Sequence, residues 1–292
     1  MQRIIAVFVL GVLGPLGGCI ANDAPAGTAA GAVISPNGIS LNGISLNSVN
    51  LNGISPNGIS LNGTPLGISI SGPPLAGADV VGSTWTGHLS DGSTAALRVD
   101  DALQGTGNNA DLWSYRLSVS ANGTWRPLCL DPAGNASFAD TVHGSWNLAQ
   151  GIAGGGSYDP TTADFTLACR GSAIAKCVEL GYKPWTGNTP QLVACVRALR
   201  GDYCGDGTPY TVTGTPVNIF DNEGIQADSV AWDPEAEWTP AGARCVSKKK
   251  ETRFNQDAHQ KPWCFPHAVK AEKNCGSGFS GAVVIITELA PL

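Results

Sequence analysis

Charge is thin in this chain. Only 14% of its residues are charged, the formal net charge is −6, and no long basic stretch occurs. Phosphate contacts need clustered Lys and Arg, so the electrostatic footprint of a nucleic-acid binder is missing and no nucleic-acid partner is expected. Methionine occurs once, at the initiator, while there are 38 Gly and 19 Pro residues. That balance speaks against a helical bundle and for strands joined by turns. The apolar run from Ile4 to Leu13 falls short of the roughly 18 residues that a membrane-spanning helix requires. The Gly-x-Ser-x-Gly turn of an α/β-type serine hydrolase is also lacking. Its nearest look-alike, Gly276 to Gly281, has the wrong spacing and reads as a glycine-rich turn before a strand. The four histidines, His88, His143, His259 and His267, have no sequence neighbour that would pair them with a nucleophile. No cofactor is implied.

What is present begins with a leader. Arg3, the apolar run behind it and the small residues Gly17 and Gly18 fit an export signal, residues 1–18. The tetrapeptide Leu16, Gly17, Gly18, Cys19 resembles a bacterial lipobox, in which the cysteine becomes the acylated first residue of the mature chain. The nine cysteines are an odd number, and lipidation of Cys19 leaves eight. Ordinary signal cleavage after Ala21 is the alternative. The lipoprotein reading implies a membrane partner through the lipid, and Ile20 after the cysteine implies sorting to the outer membrane of the envelope.

Residues 19–78 read as a tether. From Ser35 to Thr64 the sequence repeats every five residues, with Asn at 37, 42, 47, 52, 57 and 62. A period of five matches neither an α-helix nor a strand. The pattern loosely resembles pentapeptide repeats, with Leu41, Leu46, Leu51 and Leu61 at corners. Pro36 and Pro56 occupy corner positions, however, and the array is short for a solenoid, so a spacer rich in Asn, Gly and Ser is the preferred reading. As a random coil, some sixty residues would span about 40 Å.

Residues 79–292 read as one folded, mainly β domain of sandwich or barrel-like type, stapled by disulfides. Strands are expected at Thr94 to Val99, Ser114 to Val119, Phe165 to Cys169, Tyr210 to Val212, Val217 to Phe220, Ala243 to Val246 and Val283 to Thr287. One helix is expected near 190–200. Thr189 would be its N-cap, Pro190 its first residue and Gly201 its stop, with Leu192, Cys195, Val196 and Leu199 on one face. Arg197 and Arg200 would then complement the negative end of its dipole.

After that helix the chain reads Gly201, Asp202, Tyr203, Cys204, Gly205, Asp206, Gly207, followed by Gly214, Thr215, Pro216, Val217 and then Asp221 and Gly224. Further segments are Ala175 to Val178, Gly181 to Trp185 and Trp238 to Cys245. Together they resemble the ADYC domain, named for an Ala-Asp-Tyr-Cys motif, with Gly201 in place of the alanine. The likeness runs over roughly residues 85–275. That family is seen chiefly in secreted proteins and lipoproteins of myxobacteria, so the resemblance implies an envelope or secreted protein. It implies no particular chemistry.

Cys129, Cys169, Cys177, Cys195, Cys204, Cys245, Cys264 and Cys275 form an even set, open to 105 pairings. Bridging is preferred over a zinc site built from His259, Cys264, His267 and Cys275. Those four are the right ligand types, but they lack a tight Cys-x-x-Cys knuckle and sit in a chain bound for an oxidising compartment. A bonded Cys204 would make Asp202 and Tyr203 parts of a fixed corner.

For catalysis, the acidic residues Asp202, Asp206, Asp221, Glu223, Asp233, Glu235 and Glu237 are the candidates, and Asp202 with Asp221 is the carboxylate pair to test for hydrolysis of a carbohydrate or peptide. Asp in Asp-Gly contexts more commonly builds turns. Of the eight tryptophans, two or three are expected at the surface, where they could meet a glycan or an envelope protein. The reading as a whole is a non-enzymatic binding or structural module. A hydrolase is the alternative.

Overall fold

A computed structural model describes residues 33–36, 54–55, 58–59, 77–88, 94–121, 123–161, 165–212, 214–228, 230–248, 252–255 and 260–291. Cys19, His259 and most of the five-residue repeat lie outside the described residues. Within the expected tether, Val33–Pro36 (β1) pairs antiparallel with a strand of the main body, and Ile54–Ser55 (β2) pairs with Gly58–Ile59 (β3).

The protein is mainly β, with two large sheets. The first is antiparallel and runs β12-β9-β6-β5-β4, where β4 is Thr84–His88, β5 Thr94–Gln104, β6 Trp113–Ala121, β9 Ala136–His143 and β12 Phe165–Cys169. Two short strands join it: Thr124–Pro127 (β7) pairs with β6, and Cys129–Leu130 (β8) pairs with β9. Along β5 the residues alternate between buried and half-buried, which puts Ala95, Leu97 and Val99 on the core face. Tyr115, Leu117 and Val119 of β6 meet them there with Trp85, Leu128 and Leu167, and the Cys129–Cys169 bridge closes this core. A two-stranded ribbon of Ser145–Trp146 (β10) and Tyr158–Asp159 (β11) follows.

The second large sheet runs β1-β13-β17-β14-β15-β16, with β13 at Pro216–Asp221, β14 at Asp233–Thr239, β15 at Gly242–Ser247, β16 at Lys270–Glu272 and β17 at Ile285–Leu289. Its pairings are antiparallel except β15 with β16. The last strand, β17, inserts between β13 and β14.

Among the described residues, two α-helices join the sheets. Ala173–Glu179 (α1) packs on β9 and β12 of the first sheet, Thr189–Arg200 (α2) packs on β13, β14, β15 and β17 of the second, and the helices pack on each other. The Cys177–Cys195 bridge ties them together. This placement corrects the one-faced reading of α2: Gln191 through Arg200 are all buried, because the helix is covered on every side. The N-cap is Asn188 rather than Thr189. The short α1, capped by Ser172 accepting from Ala175 N at 3.3 Å, was not expected. Its seven residues are too few to show a helical period.

Six of the seven expected strands form; β17 begins two residues later than expected. Tyr210 to Val212 does not form a strand. Tyr210 is instead turned into the core against Tyr203, with its backbone N–H bonded to Arg200 O at 3.2 Å.

Candidate functional site

The residues of the motif meet at the end of α2. Gly201 stops the helix in the left-handed conformation (φ 63°), with its N–H on Ala198 O at 3.1 Å and the N–H of Asp202 on Arg197 O at 2.9 Å. A β-carbon there would sit 3.2 Å from Tyr210 O. Glycine where the family name has alanine therefore relieves both a torsional cost and a close approach.

The Asp202 side chain is almost wholly buried. Its Oδ2 accepts from Arg197 Nη1 and from Gly207 N at 2.9 Å, and its Oδ1 accepts from Asp206 N at 3.1 Å. The carboxylate thus stitches the loop 205–207 onto the helix terminus. Burial pushes its carboxyl up, against the pull of Arg197 and the Gly207 N–H. Gly205 lies against the β14–β15 hairpin so closely that a β-carbon would fall 1.8 Å from Ala241 O.

Tyr203 points the other way, into the second sheet. Its hydroxyl donates to Glu235 Oε1, and its ring lies 5.0 Å from Trp238 and 5.1 Å from Phe254, centroid to centroid. Glu235 is buried with Arg253, whose Nε donates to Oε1 at 2.8 Å, while Thr287 Oγ1 donates to Oε2 at 2.8 Å. Arg253 also donates through Nη2 to Ala198 O at 2.6 Å, satisfying a helix-terminal carbonyl. Burial, then the Glu235 charge, pushes the Tyr203 phenol well above its ordinary value. Cys204 is bonded to Cys264. Each motif residue is therefore committed inside the fold: Asp202 to the loop, Tyr203 to the ion pair, Cys204 to the far loop.

Asp221 is committed as well. It accepts from Glu223 N at 2.8 Å, Ile225 N at 3.1 Å and Gln226 N at 2.6 Å, and from Tyr182 Oη at 3.0 Å. This is a turn built on one carboxylate. The structure does not bring Asp202 and Asp221 together. The neighbour of Asp221, Asn222, accepts from Gln191 in the first turn of α2, whereas Asp202 follows the last turn. The length of the helix, about 18 Å for its 12 residues, lies between them. Paired carboxylates of glycosidases stand roughly 5 to 9.5 Å apart.

Asp206 and Glu237 are similarly engaged, whereas Glu223 and Asp233 are exposed. Asp206 accepts from Trp263 Nε1 at 2.7 Å and from Thr208 N at 2.9 Å, and Glu237 pairs with Arg244 at 2.6 Å and accepts from Gly276 N at 2.8 Å. Arg197 and Arg200, expected to face the helix dipole, are buried. Arg197 pairs with Asp202 and donates to Pro240 O, while Arg200 donates to Gly207 O.

Of the alternative zinc ligands, His259 lies outside the described residues and the other three are not free to share a metal. Cys264 is bridged to Cys204 and Cys275 to Cys245, so neither offers a thiolate, and His267 is exposed. Glu237 lies within ligand distance of Cys245 and Cys275, but those two sulfurs are the bridge itself.

Three tryptophans face solvent. Trp263 is 68% exposed, Trp185 42% and Trp125 38%. Trp185 donates to Asp111 Oδ2 at 2.7 Å, as Trp263 does to Asp206, so both indoles are held by carboxylates, and Arg98 stacks over Trp125 at 4.9 Å. A cleft of about 310 Å³ runs beside α2 between Tyr158, Pro190, Val193 and Pro240. Sequence reasoning missed the Glu235–Arg253 pair and a second acidic cluster, Asp140 with Glu179. In each, the partners are far apart along the chain and no local spacing announces them.

Residues 77–252 match the family model described as the ADYC domain. Comparison with curated proteins and with solved structures gives no match.

Proposed function

Since this chain belongs to the ADYC domain family, we propose that it is a non-enzymatic module of the bacterial envelope, displayed from the outer membrane through a lipid on Cys19, and that it binds there through exposed aromatic surface. The observation that carries this reading is the inward use of the motif. Asp202, Tyr203 and Cys204 all spend their chemistry on buried partners, with no polar group left over for a substrate. What the corner offers outward is Trp263, next to the bridge at Cys264 and fixed by Asp206. A rigid, exposed indole is a suitable face for a sugar ring, and tryptophan is enriched among binding anchors. A glycan of the envelope is the partner class that this surface favours.

The test has two arms on the full-length protein recovered from membranes. Intact mass identifies an acylated Cys19. Tryptophan fluorescence, titrated with envelope glycan fragments, is expected to change in the native chain and not in Trp263→Ala, with no fragment cleaved. Turnover of a glycan or peptide, abolished in a normally folded Asp202→Asn, would instead establish the hydrolase.

A further inference from the structure

The first sheet and the helix pair meet at a seam where two acids face each other. Asp140, at the middle of β9, is fully buried. Its Oδ1 accepts from Ser114 Oγ of β6 at 2.5 Å and lies 3.4 Å from Arg170 Nε. The same Nε lies 3.3 Å from Oε1 of Glu179, at the end of α1. One guanidinium N–H therefore stands between two carboxyl groups, one on each side of the seam. Asp140 Oδ2 is buried with no donor among the ordinary polar groups around it. A carboxyl that keeps its proton can supply a hydrogen to such an oxygen, and the side chain of Glu179 is within hydrogen-bonding reach of Asp140.

We propose that Asp140 and Glu179 hold one proton between them, and that this proton clamps α1 onto the first sheet, so that the seam tightens in acid and loosens toward neutral pH. The charged groups facing the pair are few. Arg170, beyond the end of β12, touches both acids, and Lys176 of α1 faces Glu179. The wholly buried carboxyl of Asp140 meets only the half-exposed arginine, and burial disfavours the ammonium of the lysine that faces Glu179, so keeping a proton on the pair lowers the cost of enclosing it. The energetics agree with the geometry. Burial, then the Asp140 charge, pushes the Glu179 carboxyl up to about 7, and burial pushes Asp140 up as well. The two titrate as a pair rather than one by one.

Other contacts across the seam do not depend on that proton. Asn109 Nδ2 donates to Glu179 O at 2.9 Å, and Lys183 pairs with Asp111 and donates to Asn108 O. Loss of the proton thus loosens the seam without releasing it. The sign follows from linkage. The folded carboxyl holds its proton more tightly than the unfolded one, whose ordinary value is 4.5. The contribution is complete below that value and lost as pH rises to about 7. In that window the seam's opening equilibrium rises by up to about tenfold per pH unit and then levels off.

Two measurements on the disulfide-intact protein test this. Carbon-13 NMR of the side-chain carboxyls should show one coupled Asp–Glu titration centred near 7. Amide exchange over 173–180, corrected for the intrinsic rate, should show the opening equilibrium rising between pH 5 and 7. Glu179→Gln keeps a neutral donor facing Asp140 and leaves Asp140 as the one acid of the pair that titrates, so the rise in opening between pH 5 and 7 should be smaller than in the native chain. If neither Asp140 nor Glu179 titrates above 5.5, or if Glu179→Gln opens with the same pH dependence as the native chain, the shared proton does not exist. Should Glu179→Gln fail to fold, the native-chain NMR titration decides alone.

Discussion

Tyr203 donates its phenolic hydrogen to Glu235, a carboxylate 32 residues further along that is wholly enclosed by the second sheet and the end of α2. The same carboxylate holds Arg253, and Arg253 holds the carbonyl of Ala198. The motif tyrosine, the sheet and the helix terminus are thereby one polar unit inside an aromatic shell of Trp238 and Phe254. Such a unit is stable only when complete, because each member buries a group that needs its partner.

Removing the hydroxyl alone tests this. Tyr203→Phe keeps the ring contacts and deprives buried Glu235 of one donor, which should lower unfolding free energy by about 1 to 3 kcal/mol. Arg253→Met removes the positive charge and leaves Glu235 buried without its ion partner, with an expected loss of about 3 to 5 kcal/mol. Urea unfolding followed by circular dichroism reads both. Equal losses in the two variants would mean that the ion pair contributes no more than the hydroxyl.

Asp202→Asn keeps the shape and the acceptor oxygen but leaves Arg197 charged and buried beside Gly155, Pro240 and a neutral amide. The expected cost is again about 3 to 5 kcal/mol. Asp221→Asn loses the charge that four donors share without stranding an ion, so its cost should be smaller, about 1 to 3 kcal/mol. The order of the two urea midpoints checks the assignment. A reversed order would mean that the Asp221 turn, not the helix corner, is the more critical carboxylate.

How much of this was legible in the chain depends on range. Strands such as β5 carry their own alternation, and the end of α2 is announced by Gly201, so both could be read locally. The mainly β class followed from composition, one Met against 38 Gly and 19 Pro, before any local signal. The site did not. Whether Arg197 faces solvent or Asp202 depends on the β14–β15 hairpin, whose Pro240 O takes the guanidinium 43 residues away. Glu235 and Glu237 looked alike in sequence as members of an acidic cluster. One is enclosed with Arg253, and the other pairs with half-exposed Arg244. Cysteine count gave an even set, but the pairing came only with the fold, because Cys204 reaches across 60 residues to Cys264.

Gly201→Ala restores the family's letter at a left-handed position. An alanine there incurs a torsional cost of roughly 1 kcal/mol and presses its methyl toward Tyr210 O, 3.2 Å away. The variant should fold with the same near-ultraviolet spectrum and melt a few degrees lower. A rise in melting temperature would show that the helix stop relaxes out of the left-handed region when a side chain is present.

The Cys204–Cys264 bridge joins the corner to the loop that carries Trp263. A bridge closing 60 residues restrains the unfolded chain by roughly 4 kcal/mol in the loop-entropy view, so Cys204→Ala with Cys264→Ala should cost most of that amount. The indole has a second anchor, its 2.7 Å bond to Asp206, and Asp206 is itself held to Asp202 through its backbone N–H. Losing the bridge should therefore free the loop less than losing both. Fluorescence anisotropy and acrylamide quenching of Trp263, in a background where the other two exposed tryptophans are replaced by phenylalanine, separate the contributions. Quenching should rise modestly in the bridge-less variant and further when Asp206→Asn is added. If the bridge alone sets the quenching rate, Asp206 does not fix the indole, and the rigid aromatic face proposed for binding loses its physical basis.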